Sequence, residues 1–209
     1  MPLPHAAEDL SSCLYSVEWE VEKNASLPSP PGGLWVILSN DPRTSEQLAH
    51  EFQENGDRTL EIGTEDKAVI TSEQTSGAPA VLPLNALASE DFKDVKGIIH
   101  LVSLETDRNT DPMHAQTRGC AKVFSLIREI LALPQSSPIP LWVITRGAVS
   151  AGGTKPISAL ATIWGMRRSV VLEHPDLPMV CVDIDPSIPI TESTANLAQR
   201  IVMGVGKSE

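Results

Sequence analysis

The spacing of apolar and polar positions changes character along the chain. Residues Leu14 to Val21, LYSVEWEV, set apolar Leu14, Val17, Trp19 and Val21 among polar or charged positions, which predicts a strand with one buried face at an edge or beside the main sheet. The next stretch, ASLPSPPGG (Ala25 to Gly33), puts three prolines and two glycines into nine residues. That is too many breakers for a core element, so it predicts a linker. From Leu34 onward, continuous apolar runs alternate with helical periods, the pattern of parallel strands covered by helices on both faces.

Strands are predicted at LWVIL (Leu34 to Leu38), RTLEI (Arg58 to Ile62), AVLPL (Ala80 to Leu84), GIIHLVSL (Gly97 to Leu104), IPLWVIT (Ile139 to Thr145) and MVCVDID (Met179 to Asp185). Helices are predicted between them. One follows a Ser45 cap and stops at Gly56. A second has Asp111 as N-cap and Pro112 at the first helical position, where a missing N–H costs nothing, and runs to Leu133. A third spans Pro156 to His174 and ends against Pro175, and a last covers Thr191 to Met203. Glu65 to Gly77 is polar without a clear period and reads as a loop or short hairpin. The order predicts an α/β fold, a doubly wound, Rossmann-like, mostly parallel sheet with helices on both faces. Residues 1–33 form an N-terminal strand and Pro/Gly linker, and residues 34–209 form a single domain.

Composition narrows the function classes. At 209 residues, 41% hydrophobic and 21% charged, the chain is globular and long enough for one sizeable core. Its formal net charge of -11 disfavours a nucleic-acid or anionic-membrane surface, which would repel it. Cys13, Cys120 and Cys181 are odd in number, far apart and without metal-ligand spacing, so they read as reduced, buried structural thiols of a cytoplasmic protein. The start, MPLPHAAEDL, lacks the basic and apolar regions of a signal peptide, and no apolar run approaches the roughly 20 residues of a membrane span.

Each candidate site has a simpler reading beside it. A dinucleotide-binding unit places glycines after its first strand, where they let the pyrophosphate approach a helix N-terminus. Here LWVIL is followed by SNDPRTSEQLA with no glycine between Gly33 and Gly56, and Asp41 puts a negative charge where the pyrophosphate sits. The glycine-rich turn TRGAVSAGGTKPI (Thr145 to Ile157) lies between a strand and a helix, yet GGTKP lacks the Walker interval and ending. Thr154 and Lys155 could attract an anion weakly, but a flexible turn is the plainer reading. His5, His50, His100, His114 and His174 show no catalytic or metal spacing, and His100, inside an apolar strand, reads as a hydrogen-bonded core histidine. Asp183 and Asp185, at the end of the last strand, read as caps of the following turn.

Two helices carry more apolar surface than a sheet-covering helix needs. In the third, Ile157, Leu160, Ala161, Trp164, Val171 and Leu172 follow one stripe, while Ile163, Met166 and Val170 form another. The second has Met113, Cys120, Phe124, Ile127 and Leu131 on one side and Val123 and Ile130 on another. A second apolar face implies a second packing partner.

The stretches LYSVEWE, GIIHLVSLE, PLWVITRGAVSAGG, ALATIWGMRRSVVLEHPDL and VCVDIDP resemble the ketoreductase of modular polyketide synthases, and within it the N-terminal structural subdomain, over about Leu14 to Met203. The resemblance implies a truncated, short-chain-dehydrogenase-like Rossmann fold with no catalytic, cofactor-binding or metal residues of its own. It would stabilise a downstream catalytic subdomain that binds NADPH and reduces β-ketoacyl groups on an acyl carrier protein. GVGKSE ends the chain before the glycine loop and the catalytic Ser and Tyr expected of that second half. Where the active-site helix of a short-chain dehydrogenase carries Tyr-x-x-x-Lys, the tyrosine slot falls on Pro156 and the lysine slot on Leu160, and Tyr15 is the only tyrosine. Neither residue can protonate an alkoxide.

The resemblance also implies a use for the doubly apolar helices, because related dehydrogenases use two such helices for subunit contacts. Phe124, Ile127, Leu131, Leu160, Ile163, Trp164 and Met166 are expected at the interface with the catalytic subdomain, and the isolated fragment could dimerise through them. The alternatives are the scaffold of a pseudo-ketoreductase in a non-reducing module and, more remotely, an NADP-binding short-chain reductase in its own right. Expected partners are the catalytic subdomain and neighbouring synthase domains including acyl carrier protein, with no nucleic acid and no membrane.

Overall fold

The computed structural model describes residues 30–63, 94–133, 138–150 and 155–203. Five strands, β1 (Leu34–Leu38), β2 (Arg58–Ile62), β3 (Val95–His100), β4 (Leu141–Arg146) and β5 (Met179–Ile184), form one sheet in the order β2-β1-β3-β4-β5. Every neighbouring pair is parallel. This is the doubly wound order, with its switch point between β1 and β3. The predicted strands Leu14 to Val21 and Ala80 to Leu84, and the predicted loop Glu65 to Gly77, lie outside the described residues.

Alternation along each strand divides the core into two layers. On one face Leu34, Val36, Ile98, Leu141 and Val143 meet Val123, Ile127 and Ile130 of α3 (Lys122–Ala132) and Leu160, Ile163 and Val170 of α4 (Ser158–Glu173). On the other, Trp35, Ile37, Ile99, Trp142 and Ile144 meet Leu48, Ala49 and Phe52 of α1 (Pro42–Glu54) and Leu197, Ala198 and Ile201 of α5 (Ile190–Met203). The Trp35 and Phe52 rings stack with centroids 5.1 Å apart. Both faces of the sheet are dry, which is why its strands read as continuous apolar runs.

The predicted helix after Asp111 forms, but in three segments without a break: α2 (Pro112–Gln116), a π turn (Thr117–Ala121) and α3. The Asp111 carboxylate accepts from the Met113 and His114 amides at 3.1 and 3.0 Å, as an N-cap should.

Several element boundaries differ from the sequence reading, and three of them have a clear physical cause or bear on the site. Helix α1 is capped by Asp41 rather than Ser45: Pro42 occupies the first turn, and the Asp41 side chain accepts from the Arg43 amide at 3.2 Å and the Thr44 hydroxyl at 2.6 Å. Ser45 lies inside the helix and donates its hydroxyl to the Pro42 carbonyl. Strand β3 stops at His100, and the rest of the run GIIHLVSL folds into a 3-10 turn, Val102–Glu105. Leu101 and Val102 are buried there as deeply as strand residues, so the apolar run does not mark the strand's end. Helix α4 begins at Ser158, leaving Pro156 outside it.

Candidate functional site

Open sheets of this order bind ligands beyond the carboxyl ends of the strands beside the switch point. That place holds a cavity of about 300 Å³ lined by Ser39, Asp41, Thr44, Glu105, Arg146 and Ile190, together with Leu101 and Leu104. Each of its charged groups already has a partner within the chain. Asp41 caps α1, so the partial positive charge of that helix N-terminus already faces a carboxylate. Glu105 is paired with Arg118. One terminal nitrogen of Arg146 donates to the Pro186 and Ile188 carbonyls, both at 2.9 Å. A nicotinamide dinucleotide needs a glycine turn and an open helix N-terminus for its pyrophosphate. The residues present do not fit that group.

The turn that leaves β4 is filled in the same way. The Asp183 carboxylate, on β5, accepts from the Ala148 and Val149 amides at 2.9 and 3.1 Å and from the Thr145 hydroxyl at 2.7 Å. The Trp164 indole N–H, on α4, donates to that hydroxyl oxygen at 3.1 Å. Gly147 lies in the left-handed region at φ +73, donates to the Ile184 carbonyl and accepts from the Ile157 amide. An internal carboxylate therefore holds the amides that a phosphate would need. Asp185 caps the following turn as its sequence position predicts, accepting from the Ser187 amide at 2.8 Å. Asp183 does not; it reaches back to the turn after β4. Gly152, Gly153 and Thr154 lie outside the described residues.

The two slots compared with a dehydrogenase's acid sit where the chain can use neither. Pro156 precedes α4 and Leu160 is 0% exposed in the core. His100 is buried, but it is not the hydrogen-bonded histidine its sequence predicts, because neither ring nitrogen has a partner among the described residues. Burial lowers its pKa to about 4, with the Lys122 charge a further cause, so the ring is neutral at physiological pH. His50, His114 and His174 sit exposed on separate elements. His5 is not among the described residues. Burial pushes the Cys181 thiol up to about 12 against the pull of Arg167, and the half-buried Cys120 lies 4.0 Å from the Met166 sulfur. Cys13 lies outside the described residues. Among the described residues no group of three or more potential ligands could hold a metal ion, and no helix is long and apolar enough to cross a membrane.

The expected interface residues divide. Ile127, Leu160 and Ile163 face the sheet and are buried in the chain's own core, which corrects their place among the expected interface residues. Trp164 and Met166 are half-buried against the same core, the Trp164 indole being tied to Thr145. Phe124 and Leu131 point outward, Phe124 being 53% exposed. The structure divides the apolar positions of α4 otherwise than into the two stripes of the sequence reading, with Leu160 buried beside Ile163. Ile163 and Val170 pack inward, while Val171 and Leu172 are exposed, Leu172 by 83%. With Met113 these four are the large exposed apolar side chains among the described residues, and all lie on α2, α3 and α4.

Sequence reasoning also missed a buried polar cluster at the amino end of the sheet. The Asp57 carboxylate accepts there from the Gly32 amide at 3.0 Å, the Gly33 amide at 3.1 Å, the Trp35 indole at 3.0 Å and Lys96 Nζ at 2.5 Å. Its members lie 22 to 39 residues from Asp57 in the chain, a separation that no local motif reveals.

Fold and site together define a doubly wound, Rossmann-like domain whose switch-point cavity is lined by charged groups that already have partners within the chain. The family model described as "Polyketide synthase extender module SpnB, Rossmann fold domain" matches residues 38–207, and the chain belongs to that family. The chain is 33% identical over 178 residues to the polyketide synthase GfsA of Streptomyces halstedii, covering 78% of this chain and 2% of that protein. It is 22% identical to a phenolphthiocerol/phthiocerol polyketide synthase of Mycobacterium tuberculosis, over 94% of this chain and 11% of that one. The chain thus spans a small part of the curated relatives it matches. In fold it is similar to a C2-type ketoreductase from a modular polyketide synthase, with a TM-score of 0.58 at 20% identity over 87% of this chain and 38% of that one. The chain is thus a polyketide synthase Rossmann fold domain, similar in fold to part of a ketoreductase.

Proposed function

We propose that this domain is the non-catalytic structural half of a polyketide synthase ketoreductase. It supports an NADPH-dependent catalytic half of the same polypeptide, which reduces β-ketoacyl groups carried by an acyl carrier protein. The observation that carries the reading is the unequal finish of the two helical layers. The α3–α4 layer leaves Phe124, Leu131, Val171 and Leu172 exposed, apolar surface that a partner would cover. The engaged lining of the crevice supports the other part of the reading. Hydride transfer needs a cofactor seat and a proton donor beside it, and here Asp41, Asp183, Pro156 and Leu160 stand in those places.

Expressed as a separate polypeptide together with the catalytic half of its own synthase, this domain should co-purify with it. Calorimetric titration should then find micromolar NADPH binding by the pair and none by the domain alone. NADPH binding by the domain alone overturns the non-catalytic assignment, and failure to associate overturns the supporting one.

A further inference from the structure

The polar cluster around Asp57 has no part in the crevice or the outer helical face. Its construction is costly. Asp57 and Lys96 are an ion pair with side chains only 1% and 17% exposed, and desolvating two charges offsets most of what their attraction gains. The cluster is also assembled from several local departures from regular structure. The pairing of β1 with β3 skips Lys96, since Leu34 faces Val95 while Trp35 faces Gly97. That bulge re-aims the Lys96 side chain toward Asp57. Gly97 leaves room for the Trp35 ring, which a Cβ there would meet at 2.6 Å. Gly33 leaves room for the Lys96 stem, which a Cβ would meet at 2.4 Å, and Gly32 has the left-handed φ of +97.

All these features converge on Pro30 to Gly33, the last four residues before β1. Asp57 holds the Gly32 and Gly33 amides from one side, and Lys96 Nζ donates to the Pro30 carbonyl while pairing with Asp57. None of these bonds belongs to the sheet ladder. Removing them leaves β1 with its pairing to β2 and β3 through Leu38.

We propose that Asp57 and Lys96 form a clamp that fixes the Pro/Gly-rich segment Pro30 to Gly33 against the amino end of the sheet, so that the chain joins the domain in one set direction instead of through a freely jointed tether. Proline- and glycine-rich segments are otherwise the natural site of a swivel between parts of a long polypeptide. Buried ionic groups are used elsewhere to select one geometry at little gain in stability, and the clamp applies that use to a linker.

The test is residue-resolved amide exchange and 15N relaxation on the 209-residue chain, comparing the wild type with Lys96→Met and Asp57→Asn. Lys96→Met keeps the apolar stem and removes the ammonium. It should raise exchange at the Gly32 and Gly33 amides at least tenfold and lower their order parameters, with Val36, Ile99 and Val143 keeping wild-type protection. Asp57→Asn keeps one acceptor oxygen but sets an amide nitrogen where the other stood and removes the charge that holds Lys96, so it should release the Trp35 indole proton and also raise exchange at Gly32 and Gly33. If Asp57→Asn unfolds the chain, Lys96→Met alone decides. Unchanged order parameters at Gly32 and Gly33 in Lys96→Met, or a uniform loss of protection that includes Val36 and Val143, overturns the proposal.

Discussion

The two helical layers of this domain cover the same sheet and finish differently. On the α1–α5 side, Leu48, Phe52, Leu197 and Ile201 face the sheet, and among the described residues no large apolar side chain of these helices is exposed. On the α2–α3–α4 side the inward stripe is equally dry, with Val123, Ile130, Leu160 and Ile163 at 0–1% exposure, yet the outer faces carry Met113, Phe124, Leu131, Val171 and Leu172. The first layer ends the protein at solvent. The second sets these apolar side chains among exposed charged residues such as Arg128, Glu129 and Arg168, so part of its apolar surface serves something other than this sheet. The lesson is that a sheet-covering role and a partner-covering role can be carried on opposite stripes of one helix.

The largest way to break that comparison is to hollow each layer in turn. Phe52→Ala removes a fully buried ring stacked on Trp35 and should cost about 3–5 kcal/mol. Phe124→Ala, on the outer face, should cost less, on the order of 1–2 kcal/mol in the same chain, because about half of the ring stays in water on folding. Urea unfolding of the two variants measures both, and equal losses would erase the distinction between the faces.

A second effect, confined to the inner side of the α3–α4 layer, comes from His100. Its folded pKa is about 4 because burial disfavours the charged ring, whereas the unfolded chain titrates near the ordinary histidine value of about 6.5. Below the latter pH the unfolded state takes up a proton that the folded state refuses. The contribution of His100 is thus fully present above pH ~6.5 and is lost as pH falls to about 4, by on the order of 3 kcal/mol. The difference in stability between wild type and His100→Gln should change by that amount between pH 7 and 4. A pH-independent difference would mean that the folded ring titrates like the unfolded one and is not held neutral by burial.

The smallest effect belongs to the sealed layer. Asp41→Ala removes the cap of α1 and should cost about 1 kcal/mol of stability. It should not confer NADPH binding, because the turn after β1 still lacks glycine. Thermal unfolding with and without NADPH checks both halves of that expectation.

Much of the fold was legible because its strands are buried on both faces. LWVIL and RTLEI are strands with the predicted limits, and the Asp111-Pro112 pair marks a helix start without ambiguity. Where a buried run goes on past a strand end, as at Leu101 and Val102, hydrophobicity has nothing left to say about backbone direction. The outer face was half legible. Periodicity reveals two apolar stripes on α4, but it cannot say which positions meet the sheet; Leu160 and Ile163, drawn from different stripes, both lie inward, and Leu172 lies outward. For the crevice, Asp41 was readable as an obstacle from its place after the first strand. Asp183 was not, because its amide partners lie 34 and 35 residues away, across the β4–β5 pairing. The Asp57 cluster depends on a bulge, and a bulge leaves no periodic trace.

The central claim, that the outer stripe of α3 and α4 exists to meet a catalytic half, is tested most directly by Phe124→Glu combined with Leu172→Glu. Both side chains are exposed in this domain, so its own melting temperature should stay within a few degrees of wild type. In the intact ketoreductase, the same pair of charges should weaken the union of the halves and reduce β-ketoacyl reduction at least tenfold. Full reductase activity in the doubly substituted enzyme, with its thermal stability unchanged, would contradict the account.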